Sequence, residues 1–189
     1  MNVVAVILLA TAGVTGAVAW YAVEHRRSDA PTSAWLAAAA VPVVLVGAAA
    51  LFGRSGAPAD AAVRDLASAA AVVTAVTGGS LVATALLRVA DRGRGALGDD
   101  AVTGDATMNV SDPQTLRGGT SIGALERIGV AVTLLAGWPE GLVLVLGVKG
   151  LGRYPELRRP AAAERFIIGT LASVLWAVAA VGVVYTLRT

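Results

Sequence analysis

SIGALERIGVAVTLLAGWPEGLVLVLGVKGLGR, residues Ser121–Arg153, decides how many times this chain crosses a bilayer. The stretch is apolar except for Glu126, Arg127, Glu140, Lys149 and Arg153. Its middle, Gly137-Trp138-Pro139-Glu140-Gly141, combines glycine and proline and breaks regular structure. Two readings fit: one long kinked helix, or a tight helical hairpin. The halves Ser121–Gly137 and Pro139–Arg153 have 17 and 15 residues. At 1.5 Å per residue they reach about 25 and 22 Å, short of a full span but nearly sufficient when flanking charges snorkel.

Charge placement separates the two. With a hairpin, one side of the bilayer holds Arg26, Arg27, Arg88, Arg92, Arg94, Arg117, Arg127, Lys149, Arg153, Arg158, Arg159 and Arg165. The other holds Arg54, Arg64 and Arg188, a split of 12 to 3. A single kinked helix moves Lys149 through Arg165 across and brings Arg188 back, leaving 8 to 7. Basic residues concentrate on the cytoplasmic side of membrane proteins, so the hairpin is preferred. Five spans with one kinked helix is the alternative.

The flanking sequence supplies the other spans. Asn2–Val23 is apolar and long enough to cross. No Lys or Arg precedes it, while Arg26 and Arg27 follow, the reverse of a signal peptide's charge order. Ala34–Phe52 is the second span, with a kink expected at Pro42. Leu66–Leu87 is the third and Phe166–Leu187 the last. Gly53-Arg54-Ser55-Gly56-Ala57-Pro58 reads as a turn. Trp20, Tyr21, Trp35 and Tyr154 fall at the inner interface of this topology, and Trp138 and Tyr185 at the outer one. Trp176 lies mid-span, where it packs on another helix or faces lipid.

The fold expected is therefore all-α, an integral membrane bundle of six transmembrane helices in which the fourth and fifth form a short hairpin. Residues 1–88 make a three-helix half, residues 89–120 a flexible cytoplasmic loop, and residues 121–189 a second three-helix half. The expected location is the bacterial cytoplasmic membrane, with both termini outside.

Composition agrees. Of 189 residues, 56% are hydrophobic and 15% charged, where a soluble domain is near a quarter charged. Abundant Ala, Val, Gly and Arg suggest a high-GC bacterial genome. The absence of cysteine removes disulfides, thiolate metal sites and cysteine nucleophiles, and one histidine, His25, excludes a multi-histidine site within the chain. Asp99, Asp100 and Asp105 lack the spacing of a calcium loop. No cofactor, metal site or catalytic residue is expected, and no nucleic-acid partner.

Two patterns remain. In the third span Ala67, Ala71, Ala75, Gly79 and Ala83 recur every four residues, a small-residue stripe that lets helices approach closely. Thr74, Thr77, Ser80 and Thr84 add hydroxyls beside it. In the second half, four of the five glutamates and the only lysine lie between positions 126 and 164. With Trp138 at the hairpin tip, Glu126 lies 12 residues before it and Lys149 11 after, so the two share a depth. Arg153 is one turn beyond Lys149, and Glu164 opens the last span near the same boundary. Glu126, Lys149, Arg153 and Glu164 form the candidate polar cluster. Arg127 competes with Lys149 for Glu126's side of the hairpin, but adjacent helix positions point about 100° apart. Charges at such a boundary also serve as plain anchors to the headgroups.

Ile122-Gly123-Ala124-Leu125-Glu126-Arg127, Lys149-Gly150-Leu151-Gly152-Arg153-Tyr154 and Glu164-Arg165-Phe166-Ile167-Ile168-Gly169-Thr170 with Ser173 resemble the motifs of an uncharacterised family of bacterial polytopic membrane proteins. The shared pattern is I-G-x-L-E-R, then K-x-x-x-R-aromatic, then E-x-aromatic-x-I-G-T-x-x-S. The resemblance covers Gly118–Ser173, 56 residues. It draws attention to Glu126, Lys149, Arg153 and Glu164 and implies no activity.

Three functions follow as expectations. The first is a non-enzymatic membrane component or interaction subunit, partnered by anionic lipid headgroups at the inner face, by another membrane protein or by further copies of itself. The second is a small transporter or channel using the polar cluster at the inner leaflet. The third and weakest is a membrane-embedded lipid enzyme, for which no paired-aspartate, histidine-dyad or Ser/Lys motif is present.

Overall fold

A computed structural model of the chain describes residues 1–26, 30–96, 119–158 and 160–188. Among these it is all-helical: α1 (Asn2–Arg26), α2 (Thr32–Arg54), α3 (Ala61–Ala96), α4 (Gly119–Leu135), α5 (Gly141–Gly152) and α6 (Pro160–Thr186), with a 3-10 turn at Glu156–Arg158. Four of the helices, α1, α2, α3 and α6, are long and apolar enough to cross a membrane. The outward-facing side chains match that solvent. Val44, Leu51, Val143, Leu151 and Leu175 are all exposed, an apolar surface that water would not tolerate at this extent.

The helices alternate in direction. Asn2 Nδ2 at the start of α1 donates to Ala57 O, 2.8 Å away, in the α2–α3 turn. Ala59 N donates to Leu187 O at 2.9 Å, and Tyr185 Oη to Leu134 O at 2.5 Å. The N-terminus, the α2–α3 turn, the α4–α5 turn and the end of α6 therefore gather at one end. Arg165 pairs with Asp91 at 2.5 Å at the other, where α3 ends and α6 begins.

The stretch read first is a hairpin. Gly137 adopts φ +71°, a left-handed conformation that glycine takes without strain and that reverses the chain. Trp138 N closes the turn on Thr133 O at 2.9 Å. Thr133 faces Gly141, Gly129 faces Val145 and Glu126 pairs with Lys149, so the partners diverge in sequence as antiparallel helices require. A single kinked helix is excluded. The hairpin is shorter than the sequence suggests, because Pro139 and Glu140 stay in the turn and α5 begins at Gly141. Its 12 residues rise about 18 Å.

α3 is the central helix, packed against α1, α2, α4 and α6. Its N-terminus is capped by Asp60, whose Oδ1 accepts from Val63 N at 2.8 Å. The small-residue stripe is real for four of its five members: Ala67, Ala71, Ala75 and Gly79 are buried, while Ala83 is half-buried. Backbones meet closely at α1, where a Cβ on Gly16 would lie 2.8 Å from Gly78 Cα. Thr74 Oγ1 and Thr77 Oγ1 reach across the same contact to Leu9 O and Gly13 O, both at 2.9 Å. Such interhelical hydroxyl bonds and close backbones are what hold helices together where water supplies no hydrophobic drive.

Two expectations need correction. The third helix runs on to Ala96, where the sequence suggested a loop from Val89; its extra turns are anchored by Asp91 to α6. The rest of the loop, 97–118 with Asp99, Asp100, Asp105 and Arg117, lies outside the described residues. Trp35 is no interface residue: it is fully buried in a small core with Ala39, Leu81 and Ala85, under the Arg88 guanidinium 4.6 Å from its ring centre. Pro42 lies within α2, on its buried face. Trp176 takes the packed alternative, its Nε1 donating to Thr74 O at 2.9 Å while its ring covers Gly78.

Candidate functional site

Three helices of the second half and α3 build one polar layer within the bundle. On α4, Gly119–Leu135, the buried positions Arg127, Val130 and Ala131 face inward to α3 and α6. Glu126, one position back, is turned about 100° away and faces α5. α5 offers Gly141, Leu142, Val145 and Lys149 on its less exposed side, a stripe of helical spacing that α4 covers.

Glu126 and Lys149 form an ion pair at side-chain exposures of 14% and 19%, as their matched depth implies. The Lys149 ammonium also lies 5.6 Å from the centre of the Phe166 ring on α6, a cation–π contact. Lysine suits this place because a compact ammonium can sit between a carboxylate and a ring face. Of the other two cluster residues, Arg153 caps α5 one turn further on, half-buried, its N–H bonding Lys149 O at 3.2 Å. Glu164 is exposed on α6, two residues before Phe166.

Arg127 is the residue that sequence reasoning undervalued. It is 4% exposed, on the α3–α4–α6 side. Its Nη2 donates to Ser80 Oγ on α3 at 3.0 Å and its Nη1 to Ser173 Oγ on α6 at 3.3 Å. Its Nε is buried without a partner among the described residues. The side chain lies across Gly79, where any Cβ would collide with Arg127 Cδ. Gly79 therefore keeps the stripe's period for a reason beyond backbone approach: it makes room for a guanidinium.

The layer is inside the apolar zone. Gly78 and Gly79 lie level with Gly16 of α1, six residues short of the end of the apolar stretch Asn2–Ala22. Six residues are about 9 Å. A charged side chain at that depth is costly, by about 2.5 kcal/mol or more at a span's centre, and is found where it faces the bundle interior. Toward the other end the α3–α6 core closes with Ala67, Ala71, Ala75, Ala177, Ala180 and Val184, all buried and all apolar.

Ser80, Arg127 and Ser173 come from three different helices, and no spacing in the sequence joins them. The pairing of Asp91 with Arg165 likewise depends on how far α3 extends.

Comparison with protein-family models, with curated proteins and with solved structures gives no match.

Proposed function

We propose that this chain is a non-enzymatic component of a bacterial cytoplasmic membrane, and that the layer of Arg127, Glu126, Lys149, Ser80 and Ser173 is its working part. The observation that carries the reading is Arg127. A guanidinium buried among α3, α4 and α6 on two hydroxyls, with no carboxylate within hydrogen-bonding distance among the described residues, is a stability cost that anchoring does not require. Anchoring arginines lie at helix ends and snorkel to the headgroups. The 12-to-3 charge split supports a basic end facing the cytoplasm and both termini outside.

A transporter or channel is the second reading, favoured by the in-membrane cation and the hydroxyls beside it. It needs a polar path on both sides of the layer, and the Ala/Val core toward the opposite end supplies none. Two measurements on the full chain separate the readings. Native mass spectrometry after mild extraction is expected to show a bound companion, lipid or second chain, that Arg127→Gln loses. Proteoliposomes are expected to show no anion or proton flux above empty vesicles. Flux abolished by Arg127→Gln, with a bare monomer in the mass spectrum, overturns the component reading in favour of transport.

A further inference from the structure

The helices of the bundle do not all end together. Asn2 of α1 bonds Ala57 in the α2–α3 turn, and Ala59 bonds Leu187 just past α6, so these four helices share one end plane. The polar layer gives a common height from which to measure it. Gly16 meets Gly78, and Arg127 lies across Gly79 and on Ser173. From there to the end plane α1 runs 14 residues, Gly16 back to Asn2, and α6 runs 13, Ser173 to Thr186. Both distances are about 20 Å. α4 runs only 8 residues, Arg127 to Leu135, or about 12 Å. The α4–α5 turn is therefore recessed by about 8 Å. Tyr185 spans the drop. Side chains lean toward the N-terminus of their helix, and its phenol reaches back from the end of α6 to Leu134 O at 2.5 Å.

The recessed turn is polar. Ala136, Gly137, Trp138, Pro139 and Glu140 are all exposed, and the Glu140 carboxylate makes no cap bond to α5. Beyond it Val143, Leu144, Val148 and Leu151 present an apolar outer face, each more than half exposed. That face ends at Arg153, 13 residues from Glu140. Its height is about 20 Å, against about 30 Å of hydrocarbon in a bilayer. On the α1 edge the apolar stretch Asn2–Ala22 has 21 residues and fills that thickness. A carboxylate in hydrocarbon is costly, and glutamate lacks the long stem with which Lys and Arg snorkel. A bilayer facing so short an apolar stretch thins to meet it.

We infer that the α4–α5 edge is a lipid-facing surface of reduced height, where phospholipid headgroups and water sink to Trp138 and Glu140 while the leaflet beside α1 keeps its full thickness. The partner of this surface is the bilayer itself, deformed on one side of the molecule. Trp138 suits the sunken boundary, because an amphipathic ring prefers the headgroup level. The inference uses the membrane reading proposed above and asks nothing of the polar layer's role.

The test compares two reporters at one height. The chain has no cysteine, so each thiol is read without background. Ala136 lies nine residues after Arg127 and Ile7 nine before Gly16, so both stand about 14 Å from the layer. Both are exposed. Full-length Ala136→Cys and Ile7→Cys are reconstituted in dioleoylphosphatidylcholine vesicles. A charged thiol reagent is supplied on both sides of the membrane, so orientation does not enter. Ala136→Cys is expected to react at least about tenfold faster, since a charged reagent is excluded from hydrocarbon. In the thinner dimyristoleoylphosphatidylcholine the two rates are expected to converge, because that bilayer uncovers Ile7 as well. Val14→Cys, exposed on α1 two residues from Gly16, is expected to stay protected in both lipids. Equal rates for the two reporters in the dioleoyl lipid overturn the inference. So does protection of both, which means that hydrocarbon or a companion chain covers the turn. Reaction of Val14→Cys is a different failure: the bundle is then not seated in the bilayer, and the membrane reading falls with the inference.

Discussion

Glu126 and Arg127 are adjacent, yet the turn of the helix gives them to different neighbours. Glu126 meets Lys149 across the hairpin, while Arg127 meets Ser80 and Ser173 in the bundle interior. Removing one member of the Glu126–Lys149 pair leaves the other charge uncompensated in a partly dry place. Glu126→Gln and Lys149→Gln should each lower thermal stability in detergent, and the double variant should lose less than their sum. The coupling expected is about 0.5–3 kcal/mol, as for residues in contact; additivity would make them independent anchors. Gly79 gives a second prediction at this scale. Leucine there meets the Arg127 side chain and should cost about 1–3 kcal/mol or more, by overpacking. Val73→Leu is the matched control, since Val73 is 56% exposed. Val82, which lies off the stripe, is not a neutral site: it packs against both buried clusters. The ion pair was legible in the sequence because equal distance from a turn fixes equal depth in a hairpin. The Arg127 site was not, because it joins three helices, and no local spacing relates Ser80, Arg127 and Ser173.

At the scale of elements, helix existence was legible and helix ends were not. The apolar runs named all six helices, since composition alone separates them from the turns. The extension of α3 through Asp91-Arg92-Gly93-Arg94-Gly95-Ala96 contradicts local propensity, for glycine disfavours helix. The Asp91–Arg165 pair shows what overrides it: the end of α3 is tied to α6. Trp35 illustrates the same limit. Its position in the chain suggests an interface, and only the packing of α2 on α3 reveals that Arg88 and Leu81 enclose it. The α1–α3 contact yields a direct prediction. A side chain at Gly16 meets the backbone of Gly78, which no rotamer change relieves. Gly16→Leu should therefore separate the two helices and destabilise by about 1–3 kcal/mol or more. Gly47→Leu on α2, where a Cβ meets nothing within 4 Å, should melt with the parent. Equal melting of the two variants in detergent would mean that the α1–α3 crossing is not a tight one.

For the whole molecule, the alternation of α1 to α6 sets what lies at each end. The α4–α5 turn shares an end with both chain termini, and the α5–α6 connection shares one with Asp91 and Arg165. α5 is the weak member of that scheme, at 12 residues the shortest helix. Whether the hairpin carries the chain across and back is therefore the question on which the six-helix membrane bundle, its orientation and its inner polar layer all rest. The chain has no cysteine, so single reporters can be placed without background. Trp138 in the hairpin turn and Tyr154 just beyond α5 are both exposed. In intact cells, Trp138→Cys should react with a membrane-impermeant thiol reagent, while Tyr154→Cys should react only after the membrane is opened. Reaction of Tyr154→Cys from outside, or protection of Trp138→Cys until the membrane is opened, would contradict the account.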